Sequence, residues 1–183
     1  MMKFIVTNIS VYRINAHTNL TEIKDMLDLL WRNNVDPQRI ILGLAFYGCS
    51  ATAASPSCVQ PGCPFVSSGN AGACSGAAGV LINTEIKDII QQNGLTPTFD
   101  REAAVKHISW GGNQWVSFDD EETFKIKAEF VKSTCLGGVM VWAISHDSRL
   151  GDDALALGRA IGATRNEISP GSWTSGLRPF QTS

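Results

Sequence analysis

None of the 183 residues sits in an apolar run of the roughly 18 to 20 positions that a bilayer-crossing helix needs, so the sequence offers no membrane span. Lys and Arg are scattered rather than clustered, and without a basic stripe nothing argues for nucleic acid as a partner. Histidine is scarce, with three in the chain, and the cysteines lack the paired close spacing of a zinc ribbon, so no metal site is read. There is no internal repeat. The start, "MMKFIVTNIS", is too short and too polar for a signal peptide, so no export signal is visible. What is present is ordinary: 44% hydrophobic residues and a net charge of −2 fit a globular protein of about one domain.

The five cysteines pull against the missing export signal. Cys58, Cys63 and Cys74 lie in one Gly/Pro/Ser-rich segment, "CVQPGCPFVSSGNAGAC", whereas Cys49 and Cys135 stand apart. A small disulfide-pinned loop among the first three would imply an oxidising compartment. Reduced thiols in a loose loop are the alternative. Two sequons, Asn8-Ile-Ser10 and Asn19-Leu-Thr21, agree with secretion but are too common to decide it.

Regular elements surround one irregular block. Leu20, Ile23, Leu27, Leu30 and Trp31 fall at helical spacing over residues 19–34, with Asn19 placed to cap and Glu22 three residues on. "RIILGLAFYG" is a continuous apolar run of strand length, suited to a parallel strand buried on both faces. From Cys49 to about Gly79 the chain loses its period and reads as loop. Ile86, Ile89 and Ile90 before Gly94 predict a short helix and its stop. Two aromatic runs around Gly111-Gly112-Asn113 predict a hairpin. Asp119, Asp120, Glu121 and Glu122 then crowd the first turn of a further helix, where acids complement the helix dipole. "GGVMVWAISHD" reads as a strand with polar residues beyond it, and Asp152 opens a last helix.

Strands that each feed a helix follow the grammar of a β/α barrel, whose function sits beyond the C-terminal strand ends. A closed barrel needs eight strands, and only two barrel-like ones are legible. Either they belong to a smaller open α/β sheet or they end a larger barrel.

The segments "AHTNLTEI", "LDLLWRNNVDPQRIILGLAFYG", "PGCPF", "NQWVSFDD" and "CLGGVMVWAISHD", in that order and spacing, resemble the C-terminal part of fungal family-18 glycoside hydrolases, the chitinases. The resemblance runs from about Ala16 to Ile161. It implies an α/β fold made of the last two strands of a (β/α)8 TIM barrel with an inserted small α+β domain. Residues 16–48 would hold barrel helix six and strand seven, and residues 49–118 the chitinase insertion domain, one wall of the substrate cleft. Residues 119–163 would hold a barrel helix, strand eight and the final helix. Residues 1–15 do not resemble the family and read as translated from beyond a reading-frame or intron boundary. Residues 164–183, polar with Pro, Gly and a lone Trp173, read as a disordered tail.

The resemblance further implies chitin or N-acetylglucosamine oligosaccharides as partners, no cofactor, and an extracellular location for the intact parent. Family chemistry is retaining and substrate-assisted: a Glu protonates the glycosidic oxygen while the substrate's N-acetyl carbonyl attacks the anomeric carbon. The family's D-x-x-D-x-D-x-E acid run is absent from these residues, so no catalytic residue is assigned. Trp142 matches the tryptophan on which the sugar beside the scissile bond stacks; by sequence alone it would read as core, and the resemblance reverses that. Tyr47 is placed at the cleft rim, with Trp110 a weaker candidate and Trp115 read as insertion-domain core. Cys49 stands where the family usually has Arg, His146 where Asp is common, and His107 where Tyr is frequent. Three expectations compete: an inactive piece of a secreted chitinase, a non-catalytic chitin-binding protein, or a truncated product that folds poorly and binds nothing.

Overall fold

The structure, a computed structural model, describes residues 12–163. The expected disordered tail and most of the segment read as unlike the family lie outside them. No helix among the described residues is long and apolar enough to cross a membrane.

Helix α1 (Leu20–Arg32) starts where Asn19 accepts from the Thr21 amide at 2.9 Å. Glu22 does not close a capping box, because its carboxylate accepts from the Asn15 side-chain amide instead. After a 3₁₀ turn at Pro37–Arg39, the apolar run splits, contrary to the expectation of one strand. Strand β1 (Ile41–Ala45) ends before Phe46, and β2 (Tyr47–Ala53) enters a different sheet. Nor is β1 buried on both faces. Leu42 and Leu44 pack with Phe46, Phe124, Val131 and Leu157, whereas Ile41 is 52% exposed on the other side. The physical reason is that helices cover a single face of a pair of strands.

The pair is β1 with β8 (Gly138–Trp142), parallel, in the register Ile41↔Gly138 to Ala45↔Trp142. Between them in sequence lies a six-stranded antiparallel sheet, in the order β3-β2-β7-β6-β5, with β4 pairing off this path to the Tyr47–Cys49 end of β2. Its other members are β3 (Phe65–Ser68), β4 (Val80–Ile82), β5 (Thr98–Asp100), β6 (Val105–Trp110) and β7 (Gln114–Phe118). The segment from Cys49 to Gly79, read as loop, therefore contains the rest of β2 and all of β3. Small residues hid them: the alternation of Cys49, Ala51 and Ala53 against Ser50 and Thr52 carries little hydrophobic contrast. The β6–β7 hairpin forms as expected around Gly111 and Gly112, both at positive φ.

Each face of this sheet has its own core. Val105 and Trp115 pack with Ile14, Ala16, Ala53 and Cys63 on one side, so the segment from Tyr12 to Ala16 is built into the sheet's cover. Ile108, Val116 and Phe118 pack with Leu81 and Ile86 on the other, where α2 (Asn83–Asn93) lies. The start of α2 is closed by Glu85, a buried carboxylate that accepts from the amides of Cys74 at 2.6 Å, Ser75 at 3.1 Å and Ile82 at 2.9 Å. Burial alone would raise its pKa, but these amides outweigh it and hold the carboxyl below its ordinary value of 4.5. The resulting stability is present above that value and is lost as pH falls through the lower folded one. Glu85→Gln is therefore expected to cost about 1–3 kcal/mol near neutral pH and to flatten the acid limb of a urea-unfolding series. An unchanged acid limb would remove Glu85 from the account.

Helix α3 (Glu121–Ser133) is capped by Asp120, which accepts from the Glu122 and Thr123 amides. Asp119, read as part of the same first turn, is instead withdrawn into the interior. Helix α4 (Asp152–Ile161) packs on α3, and the Asp147 carboxylate accepts from the Asp153 and Ala154 amides at 2.9 and 2.8 Å.

Candidate functional site

The strand alternation that buries Leu42 and Leu44 turns Ile41 and Gly43 outward, and the register puts Met140 and Trp142 beside Gly43 and Ala45 on that open face. Trp142, the last residue of β8, is 65% exposed. Its carbonyl accepts from the Phe46 amide at 3.1 Å, which ties it to the turn between the sheets. Tyr47 is the next residue, so Trp142 and Tyr47 come to the same end of the parallel pair. The loop after β8, Ile144–His146, is a single 3₁₀ turn whose far end is fixed by Asp147 at the start of α4.

Two imidazoles flank Tyr47. His17 lies with its ring centroid 4.9 Å away and its Nε2 3.3 Å from the phenol oxygen; the His146 ring meets the Tyr47 ring edge-on at 5.8 Å. Burial lowers the pKa of His17 below 6.5, with Asp119 acting in the opposite direction, so its imidazole is neutral at pH 7. Burial also pushes the Tyr47 phenol up from 10, assisted by Cys49. His17 and Tyr47 therefore present a neutral hydrogen-bonding pair rather than charge. His17 is positioned from below, where its amide donates to Ser117 Oγ at 2.9 Å and where Thr18, at a φ of +61°, carries the chain onward.

A β-branched residue in the left-handed region is costly and needs to be held. Thr18 Oγ1 donates to Asp119 Oδ2 at 2.8 Å and accepts from Lys127 Nζ at 3.0 Å. Asp119 and Lys127 are themselves a fully buried ion pair. Burial draws the Lys127 pKa down, and Asp119 works against that. Sequence reasoning missed this network: Asp119 looked like one of four helix-start acids, and Lys127 was not singled out. No local signal marked the pair, since Asp119 lies ahead of the Asp120 cap and Lys127 within α3.

The other residues singled out from the sequence are dispersed. Trp110, half-buried, packs with the α2-side core, on the opposite sheet face from Tyr47 and Cys49, so the structure does not bring it to Trp142. Trp115 is buried in the core on the Tyr47 side, as the sequence suggested. His107 rests 5.7 Å from Trp115. Cys58 and Cys63 form a disulfide; Cys74, the third thiol of the expected loop, is free and exposed, as is Cys135, and Cys49 is half-buried. Among the described residues no three His, Cys, Asp or Glu side chains converge as a metal ion would require.

The family model described as glycosyl hydrolases family 18 matches residues 6–147, beginning ahead of Ala16. Chitotriosidase-1 of Mus musculus is 36% identical over 119 residues, which cover 64% of this chain and 24% of that protein. Two solved structures share the fold. The class V chitinase of Nicotiana tobaccum, as a mutant in complex with NAG4, superposes with a TM-score of 0.73 at 22% identity, over 85% of this chain and 45% of that one. The Ostrinia furnacalis Group IV chitinase in complex with allosamidin gives 0.66 at 28% identity, over 78% and 39%. The chain spans a third or less of its curated relatives and under half of these structures. Relatives come from animals, plants and fungi alike.

Proposed function

From the premise that this chain belongs to glycosyl hydrolases family 18, we propose that it forms the floor and one wall of a chitin-binding cleft, with oligomers of β-1,4-linked N-acetylglucosamine as ligands. One observation carries this reading. A tryptophan is left 65% exposed at the C-terminal end of a parallel strand, at the same end of the pair as a tyrosine flanked by two imidazoles. A pyranose laid on Trp142 buries flat apolar area at little conformational cost, and Tyr47 offers a hydroxyl at its edge. That fold neighbours were solved with NAG4 or allosamidin supports the ligand class.

Hydrolysis by the substrate-assisted route needs a proton-donating Glu, and the D-x-x-D-x-D-x-E run is absent from these 183 residues. In our reading that acid belongs to barrel sequence beyond them. The parent is a chitinase acting outside the cell, as the Cys58–Cys63 disulfide suits. A fungal parent is part of the same reading, carried by the quoted sequence segments. The purified chain is expected to bind N-acetylglucosamine oligomers and to release no product from them at any pH; turnover above buffer would mean an acid in these residues has been overlooked. A non-catalytic chitin-binding protein is the alternative that the missing acid run favours. Sequencing the transcript upstream of Met1 separates the two, because an in-frame acid run there belongs to an enzyme.

A further inference from the structure

The segment that leads into His17 is pinned by a small ring closed by the Cys58–Cys63 disulfide. Ile14 donates its amide to the Cys63 carbonyl at 2.8 Å, and its carbonyl accepts from the Gly62 amide at 2.8 Å. Arg13 Nη1 donates to the Gly62 carbonyl at 2.7 Å, and the Phe65 amide donates to the Tyr12 carbonyl at 3.1 Å. Among the described residues, every hydrogen bond of Tyr12, Arg13 and Ile14 runs to residues 62–65.

The chain then reaches His17, which is held beside Tyr47 from two directions. On one side its amide donates to Ser117 Oγ and the next residue, Thr18, donates to Asp119. On the other, Ile14 and Ala16 are buried in a core with Cys63, Val105 and Trp115. The first anchor lies in the interior, out of reach of a small reagent. The second ends in a sulfur–sulfur bond. Cys63 is buried, but Cys58 is only half-buried. Its neighbours Ser57, Val59, Gln60 and Pro61 line a cavity of about 1050 Å³, so a reagent can approach the ring and the loop has room to move once it is opened.

Resting on the reading of Tyr47 as part of the sugar site, we propose that the Cys58–Cys63 disulfide is a positioning element that holds His17 beside Tyr47 and makes sugar binding sensitive to reduction. A dithiol supplies the electrons. Its thiolate attacks Cys58 Sγ, the bond to Cys63 Sγ breaks, and the reagent's second thiol then displaces Cys58. Two protein thiols form and the reagent leaves as a cyclic disulfide, so the two electrons and two protons gained by the protein are those lost by the dithiol. Cys49, Cys74 and Cys135 are already thiols and are not altered. The opened loop no longer presents Gly62 and Cys63 at a fixed spacing, so residues 12–16 loosen and His17 loses half of its support. The Tyr47 hydroxyl, 3.3 Å from His17 Nε2, then loses the partner that orients it toward a ligand.

The test compares the chain before and after treatment with dithiothreitol. Hydrogen exchange of the Ile14 amide is expected to quicken about tenfold, while the amides of β7 at the centre of the sheet keep their protection, because the opening is local. The His17 imidazole signal in the NMR spectrum should move, with or without sugar. Calorimetric affinity for a tetramer of N-acetylglucosamine should fall about threefold, the worth of one ordinary hydrogen bond. The variant Cys58→Ser/Cys63→Ser should show the reduced values and ignore the reagent. Ile14 exchange that does not change, or β7 amides that quicken as much as Ile14, overturns the proposal: the disulfide would be inert in the first case and a staple of the whole sheet in the second. A moved His17 signal with unchanged affinity overturns the link to sugar binding. If the oxidised chain binds no tetramer, the sugar reading fails and the affinity claim with it, and the His17 signal still decides whether the disulfide positions that ring.

Discussion

Asp119→Ala is expected to destabilise the chain by about 3–5 kcal/mol, the loss that follows when one member of a buried ion pair is removed and the other is left charged in the interior. Thermal unfolding should fall by roughly 10 °C for a chain of this size. Lys127 is fully buried, and its remaining partner, the Thr18 hydroxyl, cannot neutralise it. The same substitution takes from Thr18 an acceptor that helps to hold its left-handed backbone, so His17 beside Tyr47 should loosen as well. The double variant Asp119→Leu/Lys127→Met tests the electrostatic explanation. Because it removes both charges, it should recover most of the lost stability. A double variant as unstable as the single one would mean that packing rather than charge is responsible.

Trp142→Ala should behave in the opposite way. The ring is 65% exposed and belongs to neither core of the six-stranded sheet nor the helix-covered core of the strand pair, so its removal should leave unfolding within about 0.5 kcal/mol of wild type. Affinity for an N-acetylglucosamine tetramer should nevertheless fall by about 1–3 kcal/mol, roughly 5- to 150-fold, the range for a flat ring serving as a stacking platform. A residue that matters to the ligand and not to the fold is the signature of a binding surface. Loss of stability with unchanged affinity would instead make Trp142 a structural residue.

Legibility in the sequence followed hydrophobic contrast. Helix α1, with Leu20 and Leu27 on its buried stripe, and α2, with Gly94 just past its end, could be located from period and punctuation alone. Strand β2 could not, because Cys49, Ala51 and Ala53 on one face are small and carry little hydrophobic contrast against Ser50 and Thr52 on the other. The split of the apolar run at Phe46 was invisible for another reason: both halves are apolar, and only the pairing of β1 with a strand almost a hundred residues later separates them. For the site, Trp142 and Tyr47 were reachable through the family resemblance. His17 and the Asp119–Lys127 pair that supports it were not, since nothing local distinguishes a buried charge from a surface one; burial is decided by the tertiary fold.

The central claim is that the open ring of Trp142 is where the sugar sits. The most direct measurement is a titration of the labelled chain with an N-acetylglucosamine tetramer, following the tryptophan indole N–H signals by NMR, with Trp142 assigned through its Phe variant. The account predicts that the Trp142 signal shifts and saturates with the dissociation constant found by calorimetry, while that of Trp31, on α1, stays in place. Saturable binding that leaves the Trp142 signal unmoved would contradict it.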